Sequence, residues 1–353
     1  MARKKLIILL LAILIGVLLY LFVIPGPVDS VAWTPPAVPP LTGATEANEK
    51  LEKAEIVVRD INGPEDVAVD EDGYIYGGTQ DGKIYRAKVN EKPELFATTN
   101  GRPLGLHFDK LGNLIVCEAW KGLLSINKKG IITTLCSEAE GIPFAFTNDL
   151  DIAKNGTIYF SDASSRFNQP DYMLDALEAR PWGRLLRYDP KSKEVTVLAK
   201  DLYFANGVAL SKNEDFLIVN ETWRYRTLRY WLKGPKKGKL EVFAKDLPGF
   251  PDGAASDRTG TFWIALPTLR NTFLDSMHPN PLKKNIVAKL PKFMKPKPKR
   301  YGLIIAINEE GKIVRSLHDI DGNHVSQITS VQPHKGWLYL GTLHGERIGR
   351  VRP

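Results

Sequence analysis

The sequence predicts an all-β chain: a six-bladed β-propeller with an N-terminal transmembrane helix and short helical lid insertions. Three observations carry this reading. A twelve-residue phrase recurs along the chain, each copy has the form strand, tight turn, strand, and the first two dozen residues are almost wholly apolar. The copies are Glu65-Asp-Val-Ala-Val-Asp-Glu-Asp-Gly-Tyr-Ile-Tyr76, Leu104-Gly-Leu-His-Phe-Asp-Lys-Leu-Gly-Asn-Leu-Ile115, Asn148-Asp-Leu-Asp-Ile-Ala-Lys-Asn-Gly-Thr-Ile-Tyr159, Asn206 to Leu217 and Asp252 to Trp263, with a looser sixth from Thr329 to Leu340. A repeat of roughly 40 to 60 residues marks a propeller or a solenoid, and strand-turn-strand units select the propeller.

Taken in chain order, residues 1–5 form a basic tail with Arg3, Lys4 and Lys5, and residues 6–24 are apolar apart from Gly16 and Tyr20. Nineteen residues at about 1.5 Å each reach roughly 28 Å, the thickness of a hydrocarbon core. Basic residues precede the span and none closely follows it, so the expected topology is a single-pass signal-anchor with a cytoplasmic N-terminus and an extracytoplasmic propeller. A cleaved signal peptide has a shorter apolar region and a small-x-small site, whereas this run leads into Pro25-Gly-Pro27. Residues 25–53 read as a Pro-rich stalk. Residues 54–353 read as the propeller domain.

Within each blade, alternation as in Val67 and Val69 or Leu150 and Ile152 gives an innermost strand, and Gly73, Gly112 or Gly156 turns the chain back. The opening residue of each phrase therefore sits at one mouth of a central channel. Four of these openers carry a carboxylate or amide oxygen: Glu65, Asn148, Asn206 and Asp252. Carboxylates and amide carbonyls suit a hard cation, and no convergent His or Cys argues for zinc or copper; Ca²⁺ fits such an oxygen set better than Mg²⁺ with its stricter octahedron. Leu104 and Thr329 open the remaining two blades at the mouth. The returning strands are expected to add Glu118, Asp162 and Glu221 as negative charge around the entrance. His107, three positions after Leu104, is expected to pack away from it.

The formal charge is +8, and Lys283, Lys284, Lys289, Lys292, Lys295, Lys297, Lys299 and Arg300 alone account for it, with no acid among them. Confined to one Pro-rich insertion, and with Phe293 as its one aromatic residue, this patch argues against nucleic acid as the partner; it is expected either near anionic lipid headgroups beside the anchor or as a solvated loop. Two lid insertions, 163–182 and 266–300, offer Met173, Leu174 and Leu177, and Phe273, Leu274 and Met277; apolar lids suit a small lipophilic substrate. Cys117 and Cys136 are too few for a disulfide framework, and two strands apart they stand about 9.5 Å from one another, beyond bonding reach while both stay in the sheet. No Gly-x-Ser-x-Gly elbow occurs.

Gly63-Pro-Glu-Asp66, Thr147-Asn-Asp149, Ala205-Asn-Gly-Val208, Pro251-Asp-Gly253, Arg229-Tyr-Trp-Leu-Lys-Gly-Pro235 and Leu338-Tyr-Leu-Gly-Thr342 together resemble the strictosidine synthase-like proteins, within the gluconolactonase–paraoxonase propeller superfamily. The resemblance covers residue 54 to the end and implies a calcium in the channel on Glu65, Asn148, Asn206 and Asp252. It also matches Asp66 and Asp149 to carboxylates that hold a second, deeper structural calcium in paraoxonases. It further implies hydrolysis of lactones or aryl esters. As a carboxylate held beside both metal and substrate, Asp252 is the group expected to activate water or to attack directly. Two departures count against carrying everything over: Leu104 stands where paraoxonases place a catalytic histidine, and Thr329 stands where strictosidine synthases place a catalytic glutamate. The expected function is therefore a membrane-anchored, calcium-dependent arylesterase or lactonase. A non-catalytic, calcium-braced propeller that binds a protein or lipid is the main alternative, and a strictosidine synthase-type condensing enzyme a weaker one.

Overall fold

Among the residues described by the structure, a computed structural model covering 2–295 and 298–353, six four-stranded antiparallel sheets follow one another along the chain. Pro296 and Lys297 of the basic insertion, and Met1 of the tail, lie outside the described residues. The innermost strands are Val67–Val69, Pro103–Phe108, Thr147–Ile152, Ala205–Leu210, Ala254–Ser256 and Ile328–His334. They fall on the recurring phrase in all six copies. Each inner strand lies against the next, and the last lies against the first.

Closure of the ring uses the start of the domain. Strand Glu55–Arg59 pairs antiparallel with Arg347–Val351 and becomes the outer strand of the sixth blade. Arg350 donates to the Glu55 carboxylate at 2.9 and 2.8 Å across that seam. Joining the two ends of the domain in one sheet leaves the ring no open seam at its inner edge.

The apolar alternation of the strands is spent between blades. Ile115, Leu123, Leu150, Phe160 and Leu186 fill the interface of blades two and three, and Leu185, Val208, Leu217 and Val219 that of blades three and four. Ile218, Phe243, Phe262 and Ile305 do the same for the fourth and fifth. Each such buried side chain contributes about 1.5–3 kcal/mol, so the stability of the domain is distributed around the ring.

The chain divides into two compact units. One is the propeller, Pro36–Tyr172, Pro181–Arg270 and Pro298–Pro353. The other joins Met1–Pro35 with Met173–Arg180 and Asn271–Lys297. It holds helix α1 (Ala2–Phe22), most of α2 (Tyr172–Glu178), α3 (Thr272–Met277) and α4 (Pro281–Lys289). Helix α1 is exposed from Arg3 to Tyr20, with a stretch from Arg3 to Phe22 long and apolar enough to cross a membrane. The segment read as a stalk is held at its start: Asp29 N–H donates to Glu178, Val31 N–H to the Glu178 carbonyl and Trp33 N–H to the His278 carbonyl. The lid insertions are helical as expected, with Leu177, Leu274 and Met277 buried but Phe273 exposed.

Cys117 and Cys136 are free thiols on the same sheet, each aligned with Leu123 of the strand between them. That register keeps them two strand spacings apart.

Candidate functional site

The inner strands do not run straight into the channel mouth. Their pairing with the second strand shifts register between Pro103 and Leu106, Thr147 and Leu150, Ala205 and Val208, and Ile328 and Ser330. A bulge of this kind inserts an unpaired residue and re-aims its neighbours. Strict alternation would send Asn148 and Asp149 to opposite faces, yet both line the axial cavity, along with Glu65 and Asp66. The cavity holds about 500 Å³ of empty space, open solvent at its mouth included.

Asn206 and Asp252 lie outside the lining of that cavity and are in contact with each other: Asn206 Nδ2 donates to Asp252 Oδ1 at 2.5 Å and also reaches Thr222 Oγ1 at 3.3 Å. The Asp252 backbone carbonyl accepts from Asn220 Nδ2 at 2.6 Å and from the Gly207 amide at 3.0 Å, which fixes the main chain behind the carboxylate. Gly207 is required here, because a Cβ at that position would fall 2.4 Å from the Asp252 carbonyl oxygen. Burial pushes the Asp252 carboxyl up to about 7, opposed by the Asn206 hydrogen bond. Glu65 is raised well above the usual carboxylate range by burial and then by the Asp252 charge, with the Arg102 guanidinium pulling the other way. Arg102 is itself buried, donating to the Gly63 and Gly78 carbonyls at 3.0 and 3.2 Å.

Two acids that oppose each other's ionisation, next to a buried amide oxygen, make a site suited to a cation. Asn206 Oδ1 is buried with no hydrogen-bond partner, and an unsatisfied buried acceptor costs about 1–3 kcal/mol unless something fills its place. Among the described residues no group of three or more His, Cys, Asp and Glu is arranged to hold a metal; the candidate set has two carboxylates, and amides supply the rest. Donors of this kind fit a hard divalent ion and do not fit zinc or copper.

Deeper in the channel the carboxylates carry structural work. Asp66 accepts from the amides of Val67 and Leu106, each at 2.7 Å. Asp149 Oδ2 accepts from Val208 at 2.9 Å and Ala254 at 3.2 Å, tying the third blade to the fourth and fifth. Asp151 does the same through Leu210 at 2.7 Å and Arg258 at 2.7 Å. Burial raises both Asp66 and Asp149. Their oxygens already serve as staples between inner strands, a role the sequence pattern did not separate from that of a second metal site.

The expected ring of negative charge at the mouth is spent on local partners. Glu118 Oε2 accepts from the Trp120 and Lys121 amides at 2.9 and 2.8 Å. Asp162 forms a buried ion pair with Arg184 at 2.6 Å and caps the Phe146 amide. Glu221 pairs with Arg226 and accepts from Tyr203 N–H at 2.8 Å. Leu104 is buried, and Thr329 Oγ1 donates to the Glu65 carbonyl at 2.6 Å, linking the sixth blade to the first. His107 departs from expectation. It is half-buried and lines the axial cavity, 3.7 Å from Asp151, because the bulge before Leu106 interrupts the alternation from which its direction was read.

One residue near the mouth had no signal in the repeat. Tyr172, at the first turn of α2, is raised by burial and by the Asp252 charge, which puts its hydroxyl in the electrostatic neighbourhood of that carboxylate. It sits in an insertion, outside the twelve-residue phrase, so register could not find it.

The strictosidine synthase profile matches residues 148–235, and the N-terminal profile of strictosidine synthase-like proteins matches residues 43–87. Adipocyte plasma membrane-associated protein of Rattus norvegicus is 36% identical, over 92% of this chain and 93% of its own length. The chain belongs to the strictosidine synthase-like family. Protein strictosidine synthase-like 6 of Arabidopsis thaliana is also 36% identical, over 92% of this chain and 87% of its own. Among solved structures, a gluconolactonase from Xanthomonas campestris superposes with TM-score 0.62 at 18% identity, covering 94% of this chain and 99% of that one. A calcium-binding protein, regucalcin, from Agrobacterium tumefaciens gives TM-score 0.59 at 13% identity over 84% and 92%. At these identities the two structures establish for this strictosidine synthase-like chain the propeller fold.

Proposed function

We propose that this protein is a membrane-anchored hydrolase of small lipophilic esters or lactones that depends on calcium in the propeller channel. The observation that carries the proposal is the mouth of the channel: Glu65, Asp252 and the unpartnered Oδ1 of Asn206 stand together where a cation would relieve both the repulsion and the unsatisfied acceptor. Glu65, Asn148, Asn206 and Asp252 would hold the ion. Calcium bound there supplies Lewis-acid polarisation of a substrate carbonyl.

The chain's own groups account for proton handling. Asp252 takes a proton from water as the water oxygen bonds to the carbonyl carbon, and returns it to the departing alkoxide oxygen as the acyl C–O bond breaks. Asn206 Nδ2 holds the carboxylate in one orientation. Apolar α1 supports a single-pass anchor with a cytoplasmic N-terminus, and the membrane is the second partner in this reading.

A non-catalytic, calcium-braced propeller is favoured by one specific observation: the mouth offers Leu104 and an engaged Thr329 where relatives in the superfamily carry a histidine or a glutamate. Phenyl acetate and a lactone panel, assayed on the full chain in detergent with and without chelator, separate the two. Turnover that chelator abolishes and Asp252→Asn lowers by 10²-fold or more supports the enzyme; turnover at buffer background throughout, with calcium still stabilising the fold, supports the brace.

A further inference from the structure

We infer that α4 and the turn that follows it rest in the bilayer–water interface, locked against the end of the apolar helix by Lys289. This rests on the reading of α1 as a membrane span. The last carbonyls of a helix have no partner within it. At the end of α1, Lys289 Nζ donates to the carbonyl oxygens of Tyr20 at 2.9 Å, Leu21 at 2.9 Å and Ile24 at 2.5 Å. Tyr20 hydroxyl answers by donating to the Lys289 carbonyl at 3.4 Å. A lysine from a helix some 270 residues away in sequence thus caps the negative end of the span. Gly26 makes room for it: a Cβ there would lie 2.9 Å from Lys289 Cε.

The consequence is positional. The carbonyls that Lys289 caps mark the level where hydrocarbon gives way to headgroups, the level at which tyrosine and lysine anchor spans. No slack chain separates α1 from the helices, because Ser30 Oγ donates to the Leu177 carbonyl at 2.9 Å and Lys284 Nζ to the Val31 carbonyl at 2.6 Å. In the same unit Phe273, Leu282, Phe293 and Met294 are 55%, 52%, 81% and 55% exposed. Single exposed apolar side chains are ordinary. Four in one small unit that ends a membrane span, with Lys283 and Lys295 beside them and no acid from residue 276 to 308, make the pattern of an interfacial element. The occupant of this face is the headgroup–acyl boundary of the bilayer that α1 crosses.

The test uses the full chain in phosphatidylcholine–phosphatidylserine nanodiscs, in a Cys136→Ser background that leaves only the buried Cys117. An environment-sensitive fluorophore is placed, one site at a time, by Leu282→Cys, Phe293→Cys, Leu11→Cys and Leu111→Cys, the last an exposed control on the propeller. Labels at 282 and 293 are expected to be quenched by lipids carrying a shallow nitroxide at least twice as strongly as the label at 111, and to resist aqueous iodide. Lys289→Met and Gly26→Leu should each remove half or more of that quenching while the label at 11 stays in lipid. Iodide access at 282 and 293 equal to that at 111, with 11 protected, overturns the inference and spares the anchor. Iodide access at 11 as well overturns the anchor and the inference with it.

Discussion

Replacing Asp252 with asparagine should stabilise the calcium-free protein at alkaline pH, although it removes a residue of the proposed site. The folded state holds the Asp252 proton until about 7, against an ordinary aspartate value of 3.8. A carboxyl raised in this way binds more protons folded than unfolded between those two values, so stability falls as pH rises through the window and the full penalty stands above it. The difference of about three units, at about 1.4 kcal/mol each, gives about 4 kcal/mol. Partial solvent access at Asp252 makes this an upper bound. Asparagine keeps the oxygen that accepts from Asn206 and carries no charge, so in chelator at pH 8 the variant should melt higher, by up to roughly 8 °C at about 2 °C per kcal/mol; near pH 4 the two should coincide. Calcium at a hundredfold excess over the dissociation constant should close most of that gap, since wild type gains about 2.7 kcal/mol and the variant little. Calorimetry of both proteins at pH 4 and 8, in chelator and in calcium, decides the matter. An Asp252→Asn protein that melts at or below wild type in chelator at pH 8 would refute the reasoning that burial and mutual repulsion poise this site for a cation.

Asn206→Leu removes both the amide that orients Asp252 and the unpartnered Oδ1, so ester turnover should fall by 10²-fold or more and the calcium-induced rise in melting temperature should vanish; kinetics and melts on one preparation check both. His318 lies buried between Tyr301 hydroxyl at 2.9 Å and Ser316 Oγ at 2.8 Å, and burial, then Lys50, lowers it to about 4. Its folded value is below the unfolded 6.5, so its contribution is complete above pH 6.5 and is lost as pH falls toward 4, by about 3 kcal/mol; His318→Gln should flatten that limb of the stability–pH curve measured by urea titration. Phe160→Ala empties a fully buried position between the second and third blades, and urea unfolding should report a loss of about 3–5 kcal/mol.

How much of this was legible in the sequence follows from what repeats and what does not. Blade count, inner strands and turn glycines recur in register, so Val67, Leu150 and Gly156 announced their positions. The apolar span announced itself by length. What the repeat could not convey was the use of oxygen atoms once backbones came together. Glu118, Asp162 and Glu221 return to the mouth end of their blades, yet each is consumed locally, Glu118 by amides of the turn that follows it and the other two by arginines on the next strand, outside the twelve-residue phrase. Tyr172 was missed for the same reason. Lys284 and Lys289 read as surface charge in a basic run, whereas one is buried on the Val31 carbonyl and the other caps α1. Composition assigns such residues to solvent; only the path of the chain reveals carbonyls within reach.

His107 shows where alternation itself breaks. An unbulged strand places residues three apart on opposite faces, and from Leu104 that rule sends His107 away from the channel. Opening the pairing between Pro103 and Leu106 inserts one residue's worth of drift, and every later side chain in the strand changes sides. The same device in the third blade brings Asn148 and Asp149 onto the axis together, one beside Glu65 in the cavity wall, the other bonded to the amides of Val208 and Ala254. A propeller with unbulged inner strands would have to choose between a staple and a ligand at each blade. With the bulge, consecutive residues both face the axis, so that Asp149 staples the blades while Asn148 lines the cavity.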